Sequence, residues 1–201
     1  RRRGMAQQRR QPLLAFQVAQ PEQRLAILLQ KVEGEELQVC LLALLAMAAR
    51  RMGRSVIVLE RGQHPRFAIG ESTTPLTNLL LEEFAREFDL PEVASLTKWS
   101  TWQGQHPDIA CGLKRGFTFY HHRRGQLFQD DADRSAQLLV AASPNERVAD
   151  THWYRPDFDH YLIQRVQGMG ITYWDHSDIQ GLERSTDRWT LDIERAGEHH
   201  R

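Results

Sequence analysis

The run Ser55-Val56-Ile57-Val58-Leu59-Glu60 is short, continuous and rich in β-branched residues, and it follows directly on a helix-forming stretch, Leu41 to Met52. A strand without polar alternation buries both faces, which is the environment of a parallel sheet. Arg50, Arg51 and Gly53 supply the cationic last turn and the glycine stop of the preceding helix. A helix feeding a parallel strand is half of a βαβ unit, so the expected fold class is α/β: a parallel sheet covered by helices.

Other segments fit that frame. Gly70-Glu71-Ser72-Thr73-Thr74-Pro75 sets hydroxyl residues just before a proline, the composition of a helix start, and the helix that follows places Leu76, Leu79, Leu80 and Phe84 on one apolar face. Asp89-Leu90-Pro91 ends it, and residues 92–150 alternate apolar pieces such as Gly116-Phe117-Thr118-Phe119-Tyr120 with polar loops, which predicts short strands. Trp153 to Gln167 reads as a helix with Phe158, Leu162 and Val166 in one row. Gly168 and Gly170 close it before the strand Ile171-Thr172-Tyr173-Trp174. Trp189, Leu191 and Ile193 alternate with polar residues, a half-buried strand that a turn near Ser185 to Arg188 pairs with Ile179 to Leu182 as the start of a β-meander.

Composition excludes several function classes. The formal net charge is +0, so no global field gathers nucleic acid, and the arginines at positions 1–3, 9 and 10 read as a solvated basic tail. The apolar run Leu37 to Ala49 is too short to span a bilayer. Cys40 and Cys111 stand far apart without zinc-ligand spacing and read as thiols of a reducing, cytoplasmic compartment. Adjacent histidines, His121-His122 and His199-His200, point to opposite faces in a strand and have no carboxylate or cysteine at ligand spacing, so no metal is expected.

In a dinucleotide-binding fold the acidic residue ending the second strand accepts hydrogen bonds from the adenosine ribose, and Glu60 fits that position. Gly53 to Arg61 is similar to the second strand of FAD-dependent hydroxylases, reductases and halogenases. His64-Pro65-Arg66-Phe67-Ala68-Ile69-Gly70-Glu71-Ser72 resembles the loop that follows it in the halogenase-like branch. Trp153 to Leu162 resembles the helix these flavoproteins place beside the cofactor. The resemblance implies an FAD-binding, Rossmann-like domain, with Glu60, Arg61, Gly70, Glu71 and Ser72 as cofactor contacts. Arg155 and Asp159, four apart on one helix face, are either flavin neighbours or a surface ion pair. Lys114, in Gly112-Leu113-Lys114-Arg115-Gly116-Phe117, falls where halogenases carry a lysine that holds hypohalous acid beside an electron-rich carbon; a structural or solvated lysine is the alternative. Implied partners are FAD, a small aromatic or polyketide-like substrate, and a flavin reductase or NAD(P)H as electron source.

Two parts of the family pattern are missing from the sequence. The glycine-rich phosphate turn, expected about eleven to sixteen residues before Gly53, meets Leu37, Val39 and Leu42 instead, and no Val/Ile-rich first strand is evident upstream. No second flavin-binding segment precedes Arg201. The expectation is therefore an atypical or out-of-frame segment over residues 1–40 and an incomplete FAD-binding domain over 41–201. The competing function is a non-catalytic fragment that associates with another chain without holding flavin.

Overall fold

The computed structural model describes residues 25–27, 39–141, 143–186 and 189–201. Strand β1 (Leu25–Ile27) is separated by residues 28–38 from helix α1 (Val39–Arg51). Leucine, alanine and methionine, the strongest helix formers, make up most of α1. Its end is closed by the N–H groups of Met52, Gly53 and Arg54, which donate to the carbonyls of Ala48, Arg50 and Ala49. Gly53 takes a φ of 76°, a left-handed turn that a side chain would resist, and the chain reverses into β2 (Val56–Leu59).

Leu25, Ala26 and Ile27 pair in parallel with Val56, Ile57 and Val58. A first strand thus lies upstream, although it is not the Val/Ile-rich run expected of such a strand. A Leu/Ala-rich triplet carries little β propensity of its own, and the hydrogen-bond ladder along β2 supplies what local sequence does not.

On the other side of β2 the chain makes a long excursion before returning. It runs through α2 (Pro75–Glu87), α3 (Pro91–Ala94), α4 (Trp99–Gln105), β3 (Cys111–Lys114), β4 (Gly116–Tyr120), β5 (Gln137–Ala141), β6 (Asp150–Trp153) and α5 (Arg155–Gly168), and comes back as β7 (Thr172–Trp174). Ile57, Val58 and Leu59 face Thr172, Tyr173 and Trp174 in parallel register, so the layer order is β1-β2-β7. Helices α1 and α5 pack together over this layer. The predicted row Phe158, Leu162 and Val166 is fully buried, as are Ala43, Ala46 and Met47 of α1. The Phe158 ring stacks on Trp153 at 4.2 Å and on Trp102 at 5.6 Å, fastening α4 and β6 to α5. Each such pair adds about 0.5–1.5 kcal/mol beyond the area it buries.

Three expectations are corrected here. The face of α2 carrying Leu76, Leu79 and Leu80 points outward, at 63%, 62% and 56% exposure, and Phe84 is half-buried. Asn78, Leu81 and Ala85 turn inward instead, the Asn78 amide onto Asp150 and the two apolar side chains into the hydrophobic core. Trp153 closes β6 rather than opening a helix; α5 starts at Arg155, where Pro156 in the first turn needs no N–H partner. Residues 92–150 hold two short helices besides the predicted strands.

The excursion's strands form two antiparallel pairs, β3 with β6 and β4 with β5. A Cβ at Gly116 would collide with the Val140 carbonyl oxygen, so only glycine fits where β4 begins. Strands β8 (Ser177–Arg184), β9 (Trp189–Arg195) and β10 (Glu198–His200) form an antiparallel meander, with Ile179 opposite Ile193 and Leu182 opposite Leu191. Among the described residues no helix is long and apolar enough to cross a membrane, and no group of three His, Cys, Asp or Glu side chains is placed to hold a metal ion.

Candidate functional site

The loop 60–73 runs from the end of β2 to the start of α2 and touches every residue group the sequence singled out. At its start Glu60 is 7% exposed. Its Oε1 accepts a 2.9 Å hydrogen bond from the Gly62 N–H and lies 3.8 Å from Arg66 Nη2. Beside it are buried polar atoms with no partner among the described residues: both ring nitrogens of His64, Nε of Arg66 and the Tyr173 hydroxyl. Burial lowers the His64 pKa, with Glu60 acting against it, so the ring is neutral near pH 7. Burial also pushes the Tyr173 hydroxyl up, and Glu60 adds to it. A buried polar atom without a partner costs about 1–3 kcal/mol, so several around one carboxylate leave hydrogen-bonding capacity unused there. Arg61 is exposed.

The middle of the loop is tied to α5. Arg155 and Asp159 are each 1% exposed and form a bidentate pair, Nε to Oδ1 at 2.8 Å and Nη2 to Oδ2 at 2.7 Å, while Arg155 Nη1 donates to the Ile69 carbonyl at 3.1 Å. The surface-pair alternative is thereby corrected: the shared helix face points inward, and the pair anchors the loop from inside. Gly70 is exposed, and Glu71 is half-buried with its carbonyl accepting from Trp153 N–H at 2.7 Å.

At the loop's end lies Lys114. It closes β3, is 5% exposed, and donates to Ser72 Oγ at 2.5 Å and to the Thr73 carbonyl, with Nζ 4.1 Å from the Phe117 ring centroid. Ser72 is exposed and forms an isolated bridge to His152, so the lysine sits one hydroxyl away from the surface. Burial lowers the Lys114 pKa, with Asp150 opposing. Thr73, Asn78, Asp150 and Thr151, all buried, surround it with a continuous polar network. Sequence reading missed this network. The available signal was Asn78 itself, a poor helix former amid leucines, which a helix interior tolerates when it has a buried partner.

Two of the positions where the phosphate turn was sought, Val39 and Leu42, lie in the first turns of α1 at 1% exposure each and belong to the core. The connection from β1 to α1 is residues 28–38, which include Leu37 and lie outside the described residues. The residues present thus fit the hydroxyl-rich adenosine end of an FAD at Glu60, while the first turn of α1, Val39-Cys40-Leu41-Leu42, carries no charged side chain.

A parallel β1-β2-β7 layer, a buried carboxylate ending β2 and a returning α5-β7 unit define part of an FAD-binding α/β fold. No family model matches the chain. Its homologues are flavin-dependent halogenases. It is 31% identical over 162 residues to monodechloroaminopyrrolnitrin halogenase PrnC of Pseudomonas fluorescens, covering 73% of this chain and 27% of that protein. It is 26% identical over 133 residues to tetracycline 7-halogenase of Kitasatospora aureofaciens, covering 65% of this chain and 22% of that protein. Among solved structures, halogenase PltM in complex with phloroglucinol and FAD superposes with a TM-score of 0.63 at 28% identity, covering 77% of this chain and 29% of PltM. The chain therefore spans less than a third of the length of these relatives.

Proposed function

We propose that this chain is part of an FAD-dependent halogenase acting on a small aromatic or polyketide-like molecule, with Lys114 as its catalytic ammonium. The observation that carries this reading is the burial of Lys114 directly behind the exposed Ser72 hydroxyl. Glu60 would hold the adenosine hydroxyls of FAD, with His64 and Tyr173 completing the cradle; Gly70, Glu71 and Ser72 would border the cofactor; Arg155 and Asp159 would fix that border in place. When bound and reduced by a flavin reductase or NAD(P)H, FAD supplies with oxygen the oxidising power that converts halide. Lys114 Nζ, a compact cation with three donors, would hydrogen-bond the resulting hypohalous acid and orient it toward an electron-rich carbon. The relative solved with both phloroglucinol and FAD supports a small aromatic substrate.

The test is a titration of the purified chain with FAD, followed by flavin fluorescence. Saturable binding is expected, weakened about tenfold by Glu60→Gln, which removes a charged hydrogen-bond acceptor. Lys114→Met is expected to leave binding unchanged and abolish halide incorporation. Absence of saturation would overturn the reading and favour a chain that associates without flavin, a second reading drawn from the outward-facing Leu76, Leu79 and Leu80.

A further inference from the structure

Lys114 and Asp150 are Cα partners in the antiparallel β3–β6 register. Directly opposite residues share a sheet face with Cβ atoms roughly 4.5–5.5 Å apart, so the carboxylate and the ammonium stem lie on the same side. Asp150 nevertheless does not take the lysine as a hydrogen-bond partner. Its Oδ1 accepts from Asn78 Nδ2 at 2.9 Å, and the same nitrogen donates to Thr73 Oγ1 at 3.2 Å. Thr73 Oγ1 in turn donates to the Thr151 carbonyl at 2.7 Å, and the Thr73 carbonyl accepts from Lys114. Asn78 therefore clamps the carboxylate on one side and the lysine's acceptor residue on the other. Asn78 is 4% exposed and Asp150 7%, so the bridge is shielded from water, where an uncancelled charge acts over a longer range.

We propose that Asp150 and Asn78 are positioning residues for Lys114: the amide holds the carboxylate near the ammonium without letting it form a contact ion pair, so that Lys114 stays charged while its hydrogen bonds go to the Ser72 hydroxyl and the Thr73 carbonyl. This rests on the catalytic reading of Lys114. A contact pair would draw the ammonium away from Ser72 and Thr73; loss of the carboxylate would let burial strip the proton. Asp150 acts against that burial and favours the charged ammonium. The other charged groups facing Lys114 are few. His152 of β6 is held neutral by burial and by Lys114, and Glu71 acts on His152 from the loop. Arg115 turns away to the Ser143 and Pro144 carbonyls.

The test reads Lys114 directly. Only Lys31, Lys98 and Lys114 are present, so a chain labelled with ε-13C lysine gives a spectrum of three signals, assigned with Lys114→Met. The Lys114 signal should titrate below the other two. Asp150→Asn should lower its midpoint further by about one pH unit, a tenfold change in the charged fraction. Asn78→Ser, which frees the carboxylate to close on the ammonium, should raise it, and Asp150→Glu should keep it near the native value. An unmoved midpoint in Asp150→Asn, with tryptophan fluorescence unchanged, overturns the proposal. Should Asp150→Asn unfold the chain, an unmoved midpoint in Asn78→Ser overturns it equally. Because the spectrum needs no flavin, a shifted midpoint in a chain that fails to bind FAD retains the positioning pair and rejects the halogenase reading, whereas FAD binding with an unmoved midpoint does the reverse.

Discussion

Arg155 and Lys114 are both cations withdrawn from water, at 1% and 5% exposure, and the two regions around them satisfy that burial in opposite ways. At the start of α5 the guanidinium meets a carboxylate through two parallel hydrogen bonds and gives a further one to Ile69. At the end of β3 the ammonium has a hydroxyl, a carbonyl and an aromatic ring, while the nearby carboxylate is held by an amide. The first arrangement saturates its charge and fixes a loop. The second leaves the charge chemically available, which is the difference between a cation that holds a structure together and one that can act on a ligand.

Breaking the first arrangement should cost most. Asp159→Asn leaves an uncompensated guanidinium in the core and should lower the unfolding free energy by about 3–5 kcal/mol. A loss under about 1 kcal/mol in urea denaturation would show that α5 tolerates the free charge and would erase the contrast. The second arrangement should show itself as a pH dependence. Burial holds the folded Lys114 pKa below its ordinary 10.5, so between those two values the unfolded chain binds a proton that the folded chain has released. Stability contributed by this group therefore rises with pH across that alkaline window, with a slope approaching about 1.4 kcal/mol per pH unit. Lys114→Met should remove that rise relative to the native chain, and equal slopes in the two proteins would contradict it. The smallest effect belongs at the surface, where Lys98 Nζ lies 2.6 Å from Glu82 Oε1 with both side chains more than a third exposed. Glu82→Gln should change stability by no more than about 0–1 kcal/mol despite the short distance, since water screens the pair.

What could be read from sequence was whatever depended on local pattern. The β-branched run before Glu60, the glycine after α1, the Thr74–Pro75 start of α2 and the Phe158–Leu162–Val166 row all carry their structure in neighbouring residues, and all are found in place. Thr74 does accept from the Thr77 N–H as a cap. What could not be read depended on partners far along the chain. Spacing placed Arg155 and Asp159 on one face but could not say that this face turns inward. The leucine stripe of α2 marked an apolar face, yet the face that packs carries Leu81, Ala85 and an amide bonding to Asp150, 72 residues away. Strand β1 exists through β2 rather than through its own composition.

The glycine at position 116 reaches further than its own turn. Along a strand, side chains fall alternately on one side and the other, so whether Lys114 meets Asp150 and Thr73 or points the opposite way is a matter of odd or even count. With no room for a Cβ against Val140, the place opposite Ala141 in the β4–β5 ladder admits only a glycine, and that glycine stands two residues after Lys114. The smallest residue in the hairpin thus fixes where the β4–β5 pair begins, immediately beyond the β3–β6 register that sets a buried charge opposite Asp150.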